Sequence, residues 1–554
     1  MTLSNDPLWF KNAIFYEVHL RSFADSNGDG KGDLPGLISK LDYIQELGVN
    51  CIWLLPMFPS PLQDDGYDIA DYYNIHPDYG TVDDFRKLVE EAHARGIRVI
   101  ADLVLNHTSD QHPWFVESRK TKDNPFRDYY VWSETDHKYA ETRIIFLDTE
   151  PSNWTLDDST GEYYWHRFYA SQPDLNYDNP VVADTMIEIL RYWMDVGIDG
   201  FRADAVPYLF EREGTDCENL PETHVYLKRI RSVLDAEYPG AIILGEANQW
   251  PWDLRPYFGG DLDDPSISGD EFHMAFHFPV MPRLFKALKL GDATDIIKIM
   301  ADTPAIPENC QWCVFLRNHD ELTLEMVTLD DRDLMWQLYA PDERMRLNLG
   351  IRRRLAPLLD NDRHKLELAN AILFSLPGAP IIYYGDEIGM GDNISLFDRN
   401  GVRTPMQWTA NPGAGFSQTD PAHYWVPLID DDTYGYQKIN VAAQMADPDS
   451  LFNALKHLVA TRKAHPVLGW GRCEFLPLTN PAILAYLRNT EDTHMLIVGN
   501  LSDQPQTTSI SLPDFSGVTP RDALTSASLA PIGQAEYDLV LSPHQCYWLD
   551  LSQR

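Results

Sequence analysis

Along most of the chain, short apolar runs alternate with stretches whose apolar residues recur at helical spacing. The runs AIFYEVHL (13–20), NCIWLLP (50–56), IRVIADLVLNH (97–107), GFRADA (200–205), AIILGEA (241–247), MAFHF (274–278), WCVFLRNHD (312–320) and APIIYYGDE (379–387) are strand-sized. Their near-continuous hydrophobicity is that of strands buried on both faces. Between two of them, VVADTMIEILRYWMDVG puts Val182, Met186, Ile189, Leu190 and Trp193 on one helical face. Strands interleaved with helices in this way predict an α/β fold, a (β/α)8 barrel whose polar residues crowd the C-terminal strand ends. A doubly wound sheet also fits the alternation, but no glycine-rich phosphate fingerprint follows the first strand.

The pattern breaks twice. Between VLNH and a helix starting near Val181 lie roughly 70 residues, too many for a structureless loop, which predicts an inserted subdomain over the barrel mouth. After FNALKHLVATRKAHPVLG, the segments AILAYLRN, HMLIVGNL, TTSISLP and QCYWLDL alternate as antiparallel strands do. The expected layout is a barrel of residues 1–106 and 175–469, an insert of 107–174, and a C-terminal antiparallel β-sandwich of 470–554.

Charge narrows the ligands. Lys and Arg total 45 against 84 Asp and Glu, a net charge of −39. Such a surface repels nucleic acid and anionic membranes and suits neutral or cationic ligands. The opening MTLSNDPLWFKNAIFYEV carries no basic-then-apolar leader, and no apolar run reaches membrane-spanning length. A cytoplasmic protein is expected, with homo-oligomerisation left open. Among six cysteines the only close pair is CQWC at 310–313, which reads as buried strand thiols rather than a zinc site.

Two features carry candidate chemistry. In ADSNGDGKGDL, Asp25, Asn27, Asp29 and Asp33 surround flexible glycines, as in a loop wrapping a hard cation. The EF-hand pattern fails because Gly36 stands where a bidentate Glu belongs, and a plain solvated turn is the alternative. The second feature is a set of strand-end acids, Asp204, Glu246 and Asp320, with Arg202, His107 and His319 alongside. Glycosidic cleavage needs one carboxylate at the anomeric carbon and another to protonate the leaving oxygen. A single strand-end acid is as often a helix cap or salt-bridge partner; three together with Arg and His favour catalysis.

In order, DLVLNH, GFRADA, GEA and FLRNHD resemble the four core motifs of the α-amylase family (glycoside hydrolase family 13), and the likeness extends over essentially the whole chain. The resemblance implies Asp204 as nucleophile, Glu246 as general acid/base and Asp320 as transition-state stabiliser, with Arg202, His107 and His319 at the nucleophile or the first sugar. QPDLN (172–176), including Gln172, and DDGYD (64–68) are similar to the oligo-1,6-glucosidase-like branch. There Asp64 would bind the non-reducing end and Tyr67 stack on its ring. Arg403 would pair with Asp64, Arg399 would lie nearer the second sugar, and Phe146 would belong to a lid. The same resemblance implies structural Ca2+ at one or two sites and no organic cofactor. One site, where Mg2+ is an alternative, uses Asp25, Asn27, Asp29, Asp33 and the Lys31 carbonyl. The other uses Asn106, Asp174, Glu211 and the carbonyls of Tyr208 and Leu209.

FLRNHDELTLEMV, DERMRLNLGIRRRLAPLLDND and DRNGVRTPMQW are similar to the branch that interconverts maltose and trehalose by retaining glucosyl transfer, with some hydrolysis. A hydrolase of the α-glucosidase or oligo-1,6-glucosidase type, or a sucrose isomerase, would share the catalytic residues. A non-catalytic sugar-binding scaffold is the remaining, remote alternative.

Overall fold

The computed structural model describes residues 3–4 and 6–552. Its centre is a closed barrel of parallel strands: β1 (Phe15–Val18), β2 (Cys51–Leu54), β3 (Arg98–Val104), β4 (Gly200–Asp204), β5 (Ile242–Gly245), β6 (Met274–Phe276), β7 (Gln311–Phe315) and β8 (Ala379–Tyr383). β1 closes the ring by pairing with β2 through Phe15–Cys51 and with β8 through Phe15–Ile381. Seven of the eight strands lie within their predicted runs, and β7 starts one residue earlier, at Gln311. Side chains such as Ile52, Trp53 and Leu54 are buried throughout, which is why these runs lack a polar alternation.

The connecting helices start and stop on local signals. Thr81 and Asp84 cap Val82–Ala94 reciprocally, and Asn179 caps Pro180–Val196, which ends at left-handed Gly197. That second helix buries Val182, Met186, Ile189, Leu190 and Trp193, the stripe read from the sequence.

Three excursions leave the barrel. After β3, an antiparallel sheet of Trp132–Ser133, Glu162–Trp165 and Trp154–Asp157 forms the insert, tied to the barrel rim by the bridges His107–Asp174 and Tyr130–Leu175. After β7, a second excursion holds the helix Leu329–Tyr339 and a small sheet of Leu322–Thr323, Gly350–Ile351 and Arg346–Leu347. Two-residue strands are too short to leave a periodic signal, and the sequence pattern did not predict this sheet. Beyond Trp470, a five-stranded antiparallel sheet faces a hairpin of Gln506–Ile510 and Tyr537–Leu541. Ile483, Ala485, Leu496, Val498 and Leu549 of the sheet share a core with Ile510, Leu539 and Leu541 of the hairpin, forming a β-sandwich.

All six cysteines are free, and Cys310 and Cys313 are buried thiols. Among the described residues no helix is long and apolar enough to cross a membrane.

Candidate active site

The C-terminal ends of the barrel strands converge on one guanidinium. Arg202 and Asp204 are two apart on β4 and share a face, and Asp102 pairs with Arg202 across β3. Buried Arg202 bonds Asp102 Oδ1 and, at 2.5 Å, Asp204 Oδ1, while its Nη2 lies 2.5 Å from Glu246 Oε1. One cation therefore links three carboxylates and fixes the two strand-end acids relative to each other. The next residue, Ala205, adopts a left-handed conformation (φ 53°) that non-glycine residues rarely hold, and its N–H donates to Glu246 Oε2 at 3.2 Å. Before Glu246, Gly245 lies against the Phe272 ring, 2.3 Å from where a Cβ would stand, so no side chain fits there.

Environment separates the acids. Burial pushes Glu246 up to about 7, with Arg202 opposing and Asp204 and Asp320 adding to the rise. Burial raises Asp204 less, to about 6, against Arg202. Burial also acts on Asp320, but His319, Arg399 and Arg403 overcome it and hold this carboxyl well below its usual range. Glu246 is thus the group best placed to carry a proton at neutral pH, beside ionised Asp320 and Asp204. Its side chain keeps 20% of its surface open and that of Asp320 keeps 23%, both on the cavity wall.

The closed end of this cavity is a continuous polar network. Arg399 donates to Asp64 Oδ1 (2.6 Å) and Asp320 Oδ1 (3.0 Å), and Gln172 Nε2 donates to Asp64 Oδ2 at 2.9 Å. Gln172 also lies 3.2 Å from His107 Nε2, and burial drives that imidazole down to about 3, so it is neutral. The Tyr67 ring stacks on His319 (5.5 Å, 11°) with its hydroxyl 2.8 Å from Nε2. Asp64, Tyr67, His107, Asp204, Glu246, Asp320 and Arg399 line the cavity, and Arg202, Gln172, His319 and Arg403 stand behind them.

One expectation is overturned. The guanidinium on Asp64 belongs to Arg399, not Arg403. Arg403 instead bonds the His319 carbonyl (2.9 Å), Asp320 Oδ1 (3.1 Å) and Asp65 Oδ2 (3.3 Å). In the tight turn Asp398–Val402, Arg399 is the second residue and reaches the cavity wall, whereas Arg403 follows the turn's C-terminal end and is buried behind that wall, where left-handed Asp65 meets it.

The rest of the wall includes Ile145, Phe146, Phe168 and Tyr208 and, at the more open end, the half-buried Asn248, Thr323 and Glu325. Of these, Phe146 was expected in a lid and Tyr208 at the cation site; the Phe146 ring lies 5.3 Å from the Arg399 guanidinium. Asn248 Nδ2 donates to Thr323 Oγ1 (3.2 Å) and Glu325 Oε2 (3.1 Å), and Arg143 of the insert donates to the same Glu325 oxygen at 2.9 Å. The Asn348 amide donates to Asp148 at 2.7 Å, so the insert and the second excursion meet above the cavity. Thr323 and Glu325 lie in FLRNHDELTLEMV, a stretch that the sequence flagged without singling out either residue.

The residues expected at the insert–barrel cation site fit a hard ion. Asn106 Oδ1, Asp174 Oδ2 and Glu211 Oε1 are buried and without partners, and burial, with only partial relief from the Arg167 amide and guanidinium, pushes Asp174 up to about 8. Tyr208 and Leu209 end the turn just before Glu211. Among the described residues no group of three or more His, Cys, Asp or Glu forms a metal cluster; this set has two carboxylates, one amide and backbone oxygens. In the 25–33 loop the acceptors already serve the loop. Asp25 takes the amides of Asn27, Gly28 and Gly30, Asn27 that of Asp29, Asp29 that of Lys31, and Asp33 those of Ser26 and Gly36. The Lys31 ammonium pairs with Asp78 at 2.6 Å. A plain turn accounts for this loop as well as a cation does.

Residues 17–340 and 351–471 match the family model "Alpha amylase, catalytic domain", and 473–548 match "Maltogenic Amylase, C-terminal domain". The chain is 55% identical to trehalose synthase/amylase TreS of Mycobacterium tuberculosis over 99% of its own length and 91% of that protein. It is 54% identical to trehalose synthase of Pimelobacter sp., covering 99% and 97%. Among solved structures, trehalulose synthase MutB of Pseudomonas mesoacidophila superposes with a TM-score of 0.79 at 28% identity, covering 98% and 99%.

Proposed function

The chain belongs to the α-amylase family, and from that membership we propose that it is an isomerase interconverting maltose and trehalose by intramolecular glucosyl transfer. The observation that carries the mechanism is the Arg202 hub, which holds an ionised Asp204 and a proton-bearing Glu246 on one cavity wall.

The non-reducing glucose of maltose occupies the closed end. Asp64 and Arg399 bind its hydroxyls, Tyr67 meets its face, and neutral His107 offers a further hydrogen bond. Asp204 attacks the anomeric carbon while Glu246 gives its proton to the glycosidic oxygen, forming a covalent glucosyl-enzyme and free glucose. Asp320, kept ionised by His319, Arg399 and Arg403, offsets the positive charge that develops on the sugar. The freed glucose is held by Asn248, Thr323 and Glu325 and turns. Glu246 then takes the proton of its anomeric hydroxyl, whose oxygen attacks the glucosyl-enzyme and makes the α,α-1,1 bond. Water reaching the same intermediate releases glucose, which makes some hydrolysis part of the proposal. A cation held by Asn106, Asp174, Glu211 and the Tyr208 and Leu209 carbonyls would serve structure, fastening the insert to the barrel rim.

The reading is tested by incubating the purified protein with maltose alone and separating the products. Trehalose as the main product supports it. Glucose alone would make the protein an α-glucosidase.

A further inference from the structure

Glu17 lies within β1, fully buried, and takes no part in the mechanism above. Its Oε1 is 2.6 Å from His319 Nδ1 and accepts from the His319 backbone N–H at 3.2 Å, while Oε2 is buried without any partner. A glutamine would accept the same two hydrogen bonds without placing a charge in the core, where an uncompensated carboxylate is costly. The charge therefore calls for a counterpart, and the other side of the ring identifies it. His319 Nε2 is 3.0 Å from Asp320 Oδ2 and 2.8 Å from the Tyr67 hydroxyl. An ionised carboxylate only accepts, so a ring held between two of them needs a hydrogen on each nitrogen. A neutral imidazole would turn a lone pair on one of them.

We infer that Glu17 is a positioning residue that holds His319 as an imidazolium, and through it keeps Asp320 ionised and oriented toward the cavity. The ring's other neighbours are aromatic rings and a guanidinium on its backbone carbonyl. Trp53 packs edge-on at 5.8 Å and donates its indole N–H to Asp102. Tyr67 stacks on the ring, and Arg403 donates to the His319 carbonyl. Arg399 and Arg403 both take Asp320 Oδ1, leaving Oδ2 to the ring. The arginines disfavour a second cation nearby, and Glu17 offsets them from the side away from substrate. Although burial alone would strip the ring of its proton, Asp320 and Glu17 carry His319 up to about 9. The role of Asp320 rests on the proposed reaction; the charge of the ring does not.

The direct test is nitrogen NMR of protein carrying 15N-labelled histidine, with His319→Asn to assign the signal. The ring should carry both protons from about pH 6 to 8, and in Glu17→Gln it should lose one within that window. The functional readout is fluoride release from α-glucosyl fluoride, whose leaving group needs no proton from Glu246. In the parent protein its kcat/KM should stay level from about pH 7 to 8 and fall only as Asp204 takes a proton near pH 6. Relative to the parent at the same pH, Glu17→Gln should fall about tenfold as the ring loses its proton, the ratio recovering toward pH 6 and being partly restored by Glu17→Asp. A neutral His319 ring in the parent protein at about pH 7 would overturn the inference without requiring any Glu17 variant to fold. So would a Glu17→Gln enzyme that is equally impaired, or unimpaired, at every pH. Absence of trehalose from maltose would defeat the proposed reaction while leaving the NMR result standing.

Discussion

The two ends of the cavity are built differently. At the closed end Asp64, Gln172, Arg399 and Asp320 bond one another on residues that belong to the barrel or abut it, and the arrangement is complete before any sugar arrives. At the open end Asn248, Thr323 and Glu325 come from loops after β5 and β7, and the Asn248 Oδ1 has no partner. The roof there is contact between two excursions, through Arg143–Glu325 and Asp148–Asn348. A rigid grip on one glucose serves any enzyme that cuts from a non-reducing end. Isomerisation also requires that the detached glucose be kept while water is excluded, and that burden falls on the open end.

The comparison breaks most sharply at the reacting atoms. Asp204→Asn should lower turnover of maltose roughly 10^4-fold or more, with fold and sugar binding retained, measured by product formation and calorimetry. Glu246→Gln should cost roughly 10^2 to 10^4-fold on maltose and far less for glycosylation by a fluoride, because only the first needs a proton delivered. At the open end, Asn248→Ala or Glu325→Gln should leave the first bond cleavage near normal and raise the glucose-to-trehalose ratio about tenfold, the worth of one lost polar contact. Equal loss of both products would mean that the open end also serves the first step.

Acidity sharpens the same assignment. Asp204 must be ionised, so kcat/KM for maltose should fall as pH drops through about 6. Glu246 must be protonated, so it should fall again as pH rises through about 7, giving a narrow bell between these values. A separate effect, on stability rather than on turnover, concerns the roof's anchor. If a cation sits at Asp174 and Glu211, chelation should lower thermal stability, by about 4 kcal/mol where the ion had stood a thousandfold above its Kd. Asp174→Asn should remove that sensitivity.

The division between the two ends also governs what the sequence makes legible. Strands buried on both faces announce themselves as apolar runs, and an acid or imidazole ending such a run falls at the barrel mouth by its position in the run alone. Asp204, Glu246, Asp320, His107 and His319 were readable in that way. The open end was not, because Asn248, Thr323 and Glu325 lie in short segments beyond the barrel strands, and their meeting point depends on the path of the chain outside the barrel. Arg399 and Arg403, four positions apart around one tight turn, carry the same chemistry, and only the turn's orientation decides which meets Asp64. Glu17 reads as one more residue in a buried strand until the His319 ring is seen against it.

The central claim is that the glucose released from maltose is the one that returns. Maltose carrying 13C only in its reducing glucose, incubated with a large excess of unlabelled glucose, tests it directly. The account predicts trehalose with one labelled ring per molecule, undiluted by the external sugar. Trehalose that takes its second ring from the unlabelled pool would contradict it.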